Sequence, residues 1–77
     1  MVNLKVRLEG NIAYIDVHVI GSKENPDFKM EIDIVERKLI FPDTANYDFY
    51  VCNVFHGIMR RVDAGEDIEK CTCIAWY

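Results

Sequence analysis

Cys52, His56, Cys71 and Cys73 are the residues of this chain whose types and spacing come nearest to a chemical site. Cys52 and His56 are four apart, so on a helix they project from the same side, while Cys71 and Cys73 share one face of an extended strand. Three thiolates and an imidazole form a set that tetrahedral zinc accepts, and a small core gains from such a staple. The spacing, however, matches none of the common zinc signatures, which place two residues between paired cysteines. On a helical wheel Cys52 and His56 also lie about 100° and 140° from the centre of the apolar stripe, pointing sideways or outward. A zinc-stabilised domain using Cys52, His56, Cys71 and Cys73 is therefore the alternative reading, and the leading expectation is a protein without cofactor.

Covalent catalysis has less to build on. Cys52 or Cys71 with His56 or His18 are the candidate thiol–base pairs, but no Gly-rich turn lies nearby to stabilise an oxyanion. The paired carboxylates Glu31 and Asp33, Glu66 and Asp67, together with Asp16, fall on strand exteriors or in a loop. These are the marks of solvated faces, and the chain is expected not to be an enzyme. Three cysteines cannot all pair within one chain. Positions i and i+2 of a strand also stand about 6.5–7 Å apart, at the limit of an unstrained disulfide. Reduced thiols follow.

The elements that must position these residues begin with a hairpin. Val2, Leu4, Val6 and Leu8 alternate with polar residues, Gly10-Asn11 forms a two-residue turn, and Ala13, Ile15, Val17 and Val19 return on one parity of residues 12–20. A turn of that length sets Leu8 against Ala13, Val6 against Ile15, Leu4 against Val17 and Val2 against Val19, so both strands bury one face. After a polar linker at 21–27, Phe28, Met30, Ile32 and Ile34 alternate again. Glu36-Arg37 reads as a turn into 38–41, with Ile34 opposite Leu39 and Ile32 opposite Phe41.

Pro42 ends that strand, and Asp43 or Thr44 can cap a helix. From Thr44 to Ala64, Tyr47, Val51, Val54, Phe55, Ile58 and Val62 form a core-facing stripe. Gly57 within it permits close approach of a strand, and Gly65 is a C-terminal stop. Residues 71–77 read as a last strand. It buries either Ile74 and Trp76, or Cys71, Cys73 and Ala75. The order β-β-β-β-α-β predicts one α+β domain over residues 1–77, with a mostly antiparallel five-stranded sheet and one long helix packed on one face.

The other sheet face should carry Lys5, Arg7, Glu9, Tyr14, Asp16, His18, Lys29, Glu31, Asp33, Val35 and Ile40. Lys5 would lie beside Asp16 and Arg7 beside Tyr14. One aromatic among balanced charges is thin support for stacking single-stranded nucleic acid. A net charge of −4 points the same way, since phosphate binding favours a basic surface. Apolar content of 51% with 29% charged residues describes a folded chain, and no stretch approaches the roughly 18–20 apolar residues of a bilayer span. The sequence opens directly into a strand, which makes a cytoplasmic setting the expectation.

Aromatic residues left over from the core point to a protein partner. Phe49 falls on the polar side of the helix, Tyr50 on its flank, and the last strand sends Ile74 with Trp76, or Tyr77, to the open face. Phe49, Tyr50, Ile74, Trp76 and Tyr77 are the candidate contact residues, since aromatics are enriched at binding hot spots. The function expected is a small non-enzymatic protein-binding or regulatory module, acting on a protein partner or by self-association as a homodimer. Besides zinc stabilisation, small-ligand binding in a cleft between helix and sheet is the alternative.

Overall fold

The alternation at the start of the chain builds what it implies. In the computed structural model, which describes residues 2–19, 24–42 and 49–75, β1 (Val2–Glu9) and β2 (Ile12–His18) form an antiparallel hairpin. Leu8 faces Ala13, Val6 faces Ile15 and Leu4 faces Val17, the register read from the sequence. Gly10 supplies the positive φ of the turn, 59°, at no steric cost. Strand β3 (Phe28–Asp33) joins β2, and its entry is tied by Asp27, whose amide donates to the Val17 carbonyl while its carboxylate accepts from the Val19 amide.

The second hairpin departs from expectation. β4 (Lys38–Phe41) pairs Lys38 with Asp33 and Leu39 with Ile32, so the connection is the four-residue segment Ile34–Arg37. Two features stand in for the missing Gly and Asn. Asp33 Oδ1 accepts from the Val35 and Glu36 amides at 3.0 and 2.9 Å, and Arg37 takes the left-handed conformation with φ 58°. A bulge follows: Ile32 faces Leu39 but Glu31 faces Phe41, leaving Ile40 without a counterpart. Phe41 therefore lies on the open face beside Glu31, and Leu39, rather than Phe41, packs toward the core beneath Ile32.

Helix α1 (Phe49–Asp63) runs about 22 Å at 1.5 Å per residue; the expected first turn at 44–48 lies outside the described residues. Its C-terminus closes as a Schellman motif. The Glu66 amide donates to the Arg61 carbonyl and the Gly65 amide to that of Val62, with Gly65 at φ 74°. A short 3₁₀ turn, Ile68–Lys70, is capped by Asp67, whose Oδ1 accepts from the Glu69 amide. β5 is shorter than the sequence suggests, Cys73–Ile74, and pairs antiparallel with β1 through Val2–Ile74 and Asn3–Cys73. The sheet order is β4-β3-β2-β1-β5, antiparallel throughout, in the order β-β-β-β-α-β of an α+β fold.

One core joins the layers. Val2, Leu4, Val6, Ala13, Ile15, Val17, Met30, Ile32 and Ile74 bury the inner sheet face against Val51, Val54, Ile58 and Met59 of α1. Phe55 and Val62 are half-buried at the margin, as the stripe implied, and Met59 joins from outside it. Gly57 is where helix and sheet come closest: a Cβ there would fall 2.7 Å from Ile74 Cδ1.

Candidate functional site

Two of the candidate contact residues, Phe49 and Tyr50, lie at the surface. Phe49 is 61% exposed and Tyr50 37%, their rings edge-to-face at 5.8 Å. Ile74 leaves the set: it is buried against Gly57, because the inward parity of β5 falls on Ile74 and sends Cys73 outward. Trp76 and Tyr77 lie outside the described residues.

A second exposed apolar surface joins Val35 and Ile40, expected on the open face, to Phe41, expected in the core. Val35, Ile40 and Phe41 are 61%, 47% and 50% exposed, all on the β3–β4 hairpin. Its geometry follows from the turn and the bulge. The four-residue turn holds Val35 out at the hairpin tip, and the bulge turns Phe41 away from the core. The signal that could have found this was Asp33: an aspartate capping the next two or three amides marks a loop that begins directly after it. The hairpin is anchored rather than loose. The Arg37 guanidinium forms a two-pronged pair with Asp63 at the end of α1, at 2.6 and 3.1 Å, and this hydrogen-bonded carboxylate pushes the Arg37 pKa up.

The two edges of the sheet differ. Along β1, the Leu4 amide donates to the Thr72 carbonyl at 2.8 Å, β5 pairs with residues 2 and 3, and the Leu8 amide donates to Glu69 Oε2 at 3.0 Å. At the other side β4 is the last strand, with no strand beyond it among the described residues. The open face matches the cross-strand pairs foreseen, Lys5 with Asp16 and Arg7 with Tyr14. Arg7 stacks over the Tyr14 ring at 4.9 Å, so a side chain already occupies the ring face that a base would need.

The thiols and the histidine are dispersed. Cys52 is half-buried, His56 is exposed, Cys71 is buried beside the 3₁₀ turn and Cys73 is exposed. Cys71 and Cys73 do not share a strand face, because Cys71 belongs to the cap of the 3₁₀ turn rather than to β5. Among the described residues no three His, Cys, Asp or Glu side chains gather as a metal site, so the four-residue zinc set is not brought together. Burial pushes the Cys71 thiol pKa up, opposed in part by the charge of Arg61.

A cleft of about 480 Å³ lies at the end of α1, lined by Arg61, Glu66, Asp67, Lys70, Cys71, Thr72 and Cys73. It is not between helix and sheet. Two of its charged side chains are engaged by the backbone: Arg61 donates to the Gly57 and Cys73 carbonyls, and Asp67 caps the 3₁₀ turn. No helix among the described residues is long and apolar enough to cross a membrane. No family model, curated protein or solved structure matches the chain.

Proposed function

We propose that this protein is a small non-enzymatic binding module that acts through protein contacts made by the β3–β4 hairpin. The observation that carries the reading is the exposure of Val35 in the turn and of Ile40 and Phe41 on the terminal strand β4, in a hairpin pinned to α1 by Arg37 and Asp63. Exposed apolar side chains on a rigid support cost little entropy to engage, and a strand edge adds backbone donors and acceptors to the contact. Phe49 and Tyr50 are a second exposed aromatic pair that such a partner could reach.

The test compares proteins retained by the immobilised wild-type chain, a second tagged copy included, with those retained by an Ile40→Ser/Phe41→Ser variant. A Lys5→Ser/Arg7→Ser variant of the open face serves as the control. Circular dichroism first confirms that each variant is folded. Partners lost from the hairpin variant and kept by the control are the expected result. Identical retention on all three overturns the reading.

A further inference from the structure

We infer that the partner of β4 is a second copy of this chain, the two β4 strands pairing antiparallel across a two-fold axis. The inference rests on the reading of the β3–β4 hairpin as a contact surface and names its occupant.

Self-complementarity of β4 carries the argument. Lys38 faces Asp33 and Phe41 faces Glu31, so the bulge at Ile40 places Lys38 and Phe41 on the same open face of the sheet although they are three apart. Antiparallel pairing of Lys38-Leu39-Ile40-Phe41 with itself sets Lys38 opposite Phe41 of the second copy, and Leu39 opposite its Ile40. The two-fold axis repeats each contact. Each ammonium then meets an aromatic ring rather than the other ammonium, and the two lysines stand at opposite ends of the seam. The carboxylate row continues outward, with Glu31 flanking Phe41 and Asp33 flanking Lys38 on both sides. A strand with cations at both ends, or aromatics at both, would have no such fit to its own copy.

Edge asymmetry sets the stoichiometry. The β1 side is covered by β5, Thr72 and Glu69, and β5 is only two residues long, so among the described residues β4 is the longer of the two terminal strands. Pairing β4 with itself closes into a dimer with a continuous ten-stranded sheet, whose two remaining borders are the two-residue strands β5, too short to pair as β4 does. Pro42 confines the seam to four residues. That places the interface in the small class, below about 1,200 Å² in total, where association is weak and reversible.

The experiment is sedimentation equilibrium of the full chain, with reductant present, from about 10 µM to 1 mM, the range of weak association. The weight-average mass should rise from 9.0 kDa toward twice that value. Phe41→Lys puts two ammonium groups opposite each other at both ends and should weaken the dimer about tenfold or more. Exchanging the two residues, Lys38→Phe with Phe41→Lys, restores each pair across the axis and should bring the dissociation constant back to near the wild-type value. A loss that came merely from misfolding would not recover on exchange. A mass that stays at 9.0 kDa throughout overturns the self-pairing and leaves the binding-module reading to the retention experiment. A dimer indifferent to Phe41→Lys, or one that the exchange fails to restore, also overturns it.

Discussion

Replacing Gly57 with alanine sets two effects of known size against each other. Glycine inside a helix costs about 1 kcal/mol relative to alanine, so Gly57→Ala in open space would stabilise α1 by that amount. Here the added Cβ would fall 2.7, 3.0 and 3.2 Å from Cδ1, Cγ2 and Cγ1 of Ile74. Cδ1 can swing away, but Cγ1 and Cγ2 both branch from one carbon, and no rotation of χ1 clears both. Ile74 is 3% exposed, so either β5 or the helix must shift. Overpacking of this kind costs about 1–3 kcal/mol, which leaves Gly57→Ala destabilising by about 1 kcal/mol net. At a urea m-value of about 1 kcal/mol/M for a domain this small, the unfolding midpoint measured by circular dichroism falls by about 1 M. In an Ile74→Ala background all three contacts are gone, and the same substitution should stabilise by about 1 kcal/mol. The coupling across the double-mutant cycle is therefore about 2 kcal/mol. A Gly57→Ala protein more stable than wild type, or a coupling near zero, would refute the close approach of α1 to β5.

Two further perturbations test the seam beside β1 and the thiol behind it. Glu69→Ala removes the acceptor of the Leu8 amide and should speed hydrogen exchange at that amide several-fold, whereas Glu69→Gln keeps an oxygen there and should retain most of the protection, as read by NMR. Burial raises the Cys71 pKa above the ordinary 9.0, so the folded state holds the neutral thiol. Its contribution to stability is complete below pH 9.0 and is lost as pH rises through the shifted value. Iodoacetamide labelling followed by mass spectrometry should accordingly modify exposed Cys73 before Cys71 at pH 8.

Legibility followed turn chemistry. Gly10-Asn11 carries its conformational preference in residue type alone, so the pairs Leu8–Ala13, Val6–Ile15 and Leu4–Val17 of the first hairpin could be read in register. The second turn is made by a side chain, Asp33, and by a left-handed arginine held to Asp63, 26 residues away in sequence. No local residue pattern announces a tertiary tether. The resulting slip moved Phe41 from an expected core position to the surface, and with it the candidate contact site from Trp76 and Ile74 toward β4. Gly57 was legible because a glycine in an amphipathic helix asks for a neighbour, and Ile74 is that neighbour. The metal alternative depended on Cys71 and Cys73 sharing a strand. The 3₁₀ turn at Ile68–Lys70 that separates them is too short to leave a periodic pattern.

The seam between β1 and β5 joins residue 2 to residue 74, the longest loop any contact in this sheet must close. Two paired residues, one carbonyl at Thr72 and one carboxylate at Glu69 hold it. A segment with so few bonds and so much closure entropy detaches before the hairpins do. Once it lifts, the outward backbone groups of Leu4 and Leu8 are bared, and the eight-residue β1 becomes a terminal strand open to pairing. The self-pairing proposed for β4, which ends at two subunits, would then be able to propagate from copy to copy. Mild heat or dilute denaturant, well short of global unfolding, should therefore be the condition under which this protein polymerises, with β5 acting as the latch against it.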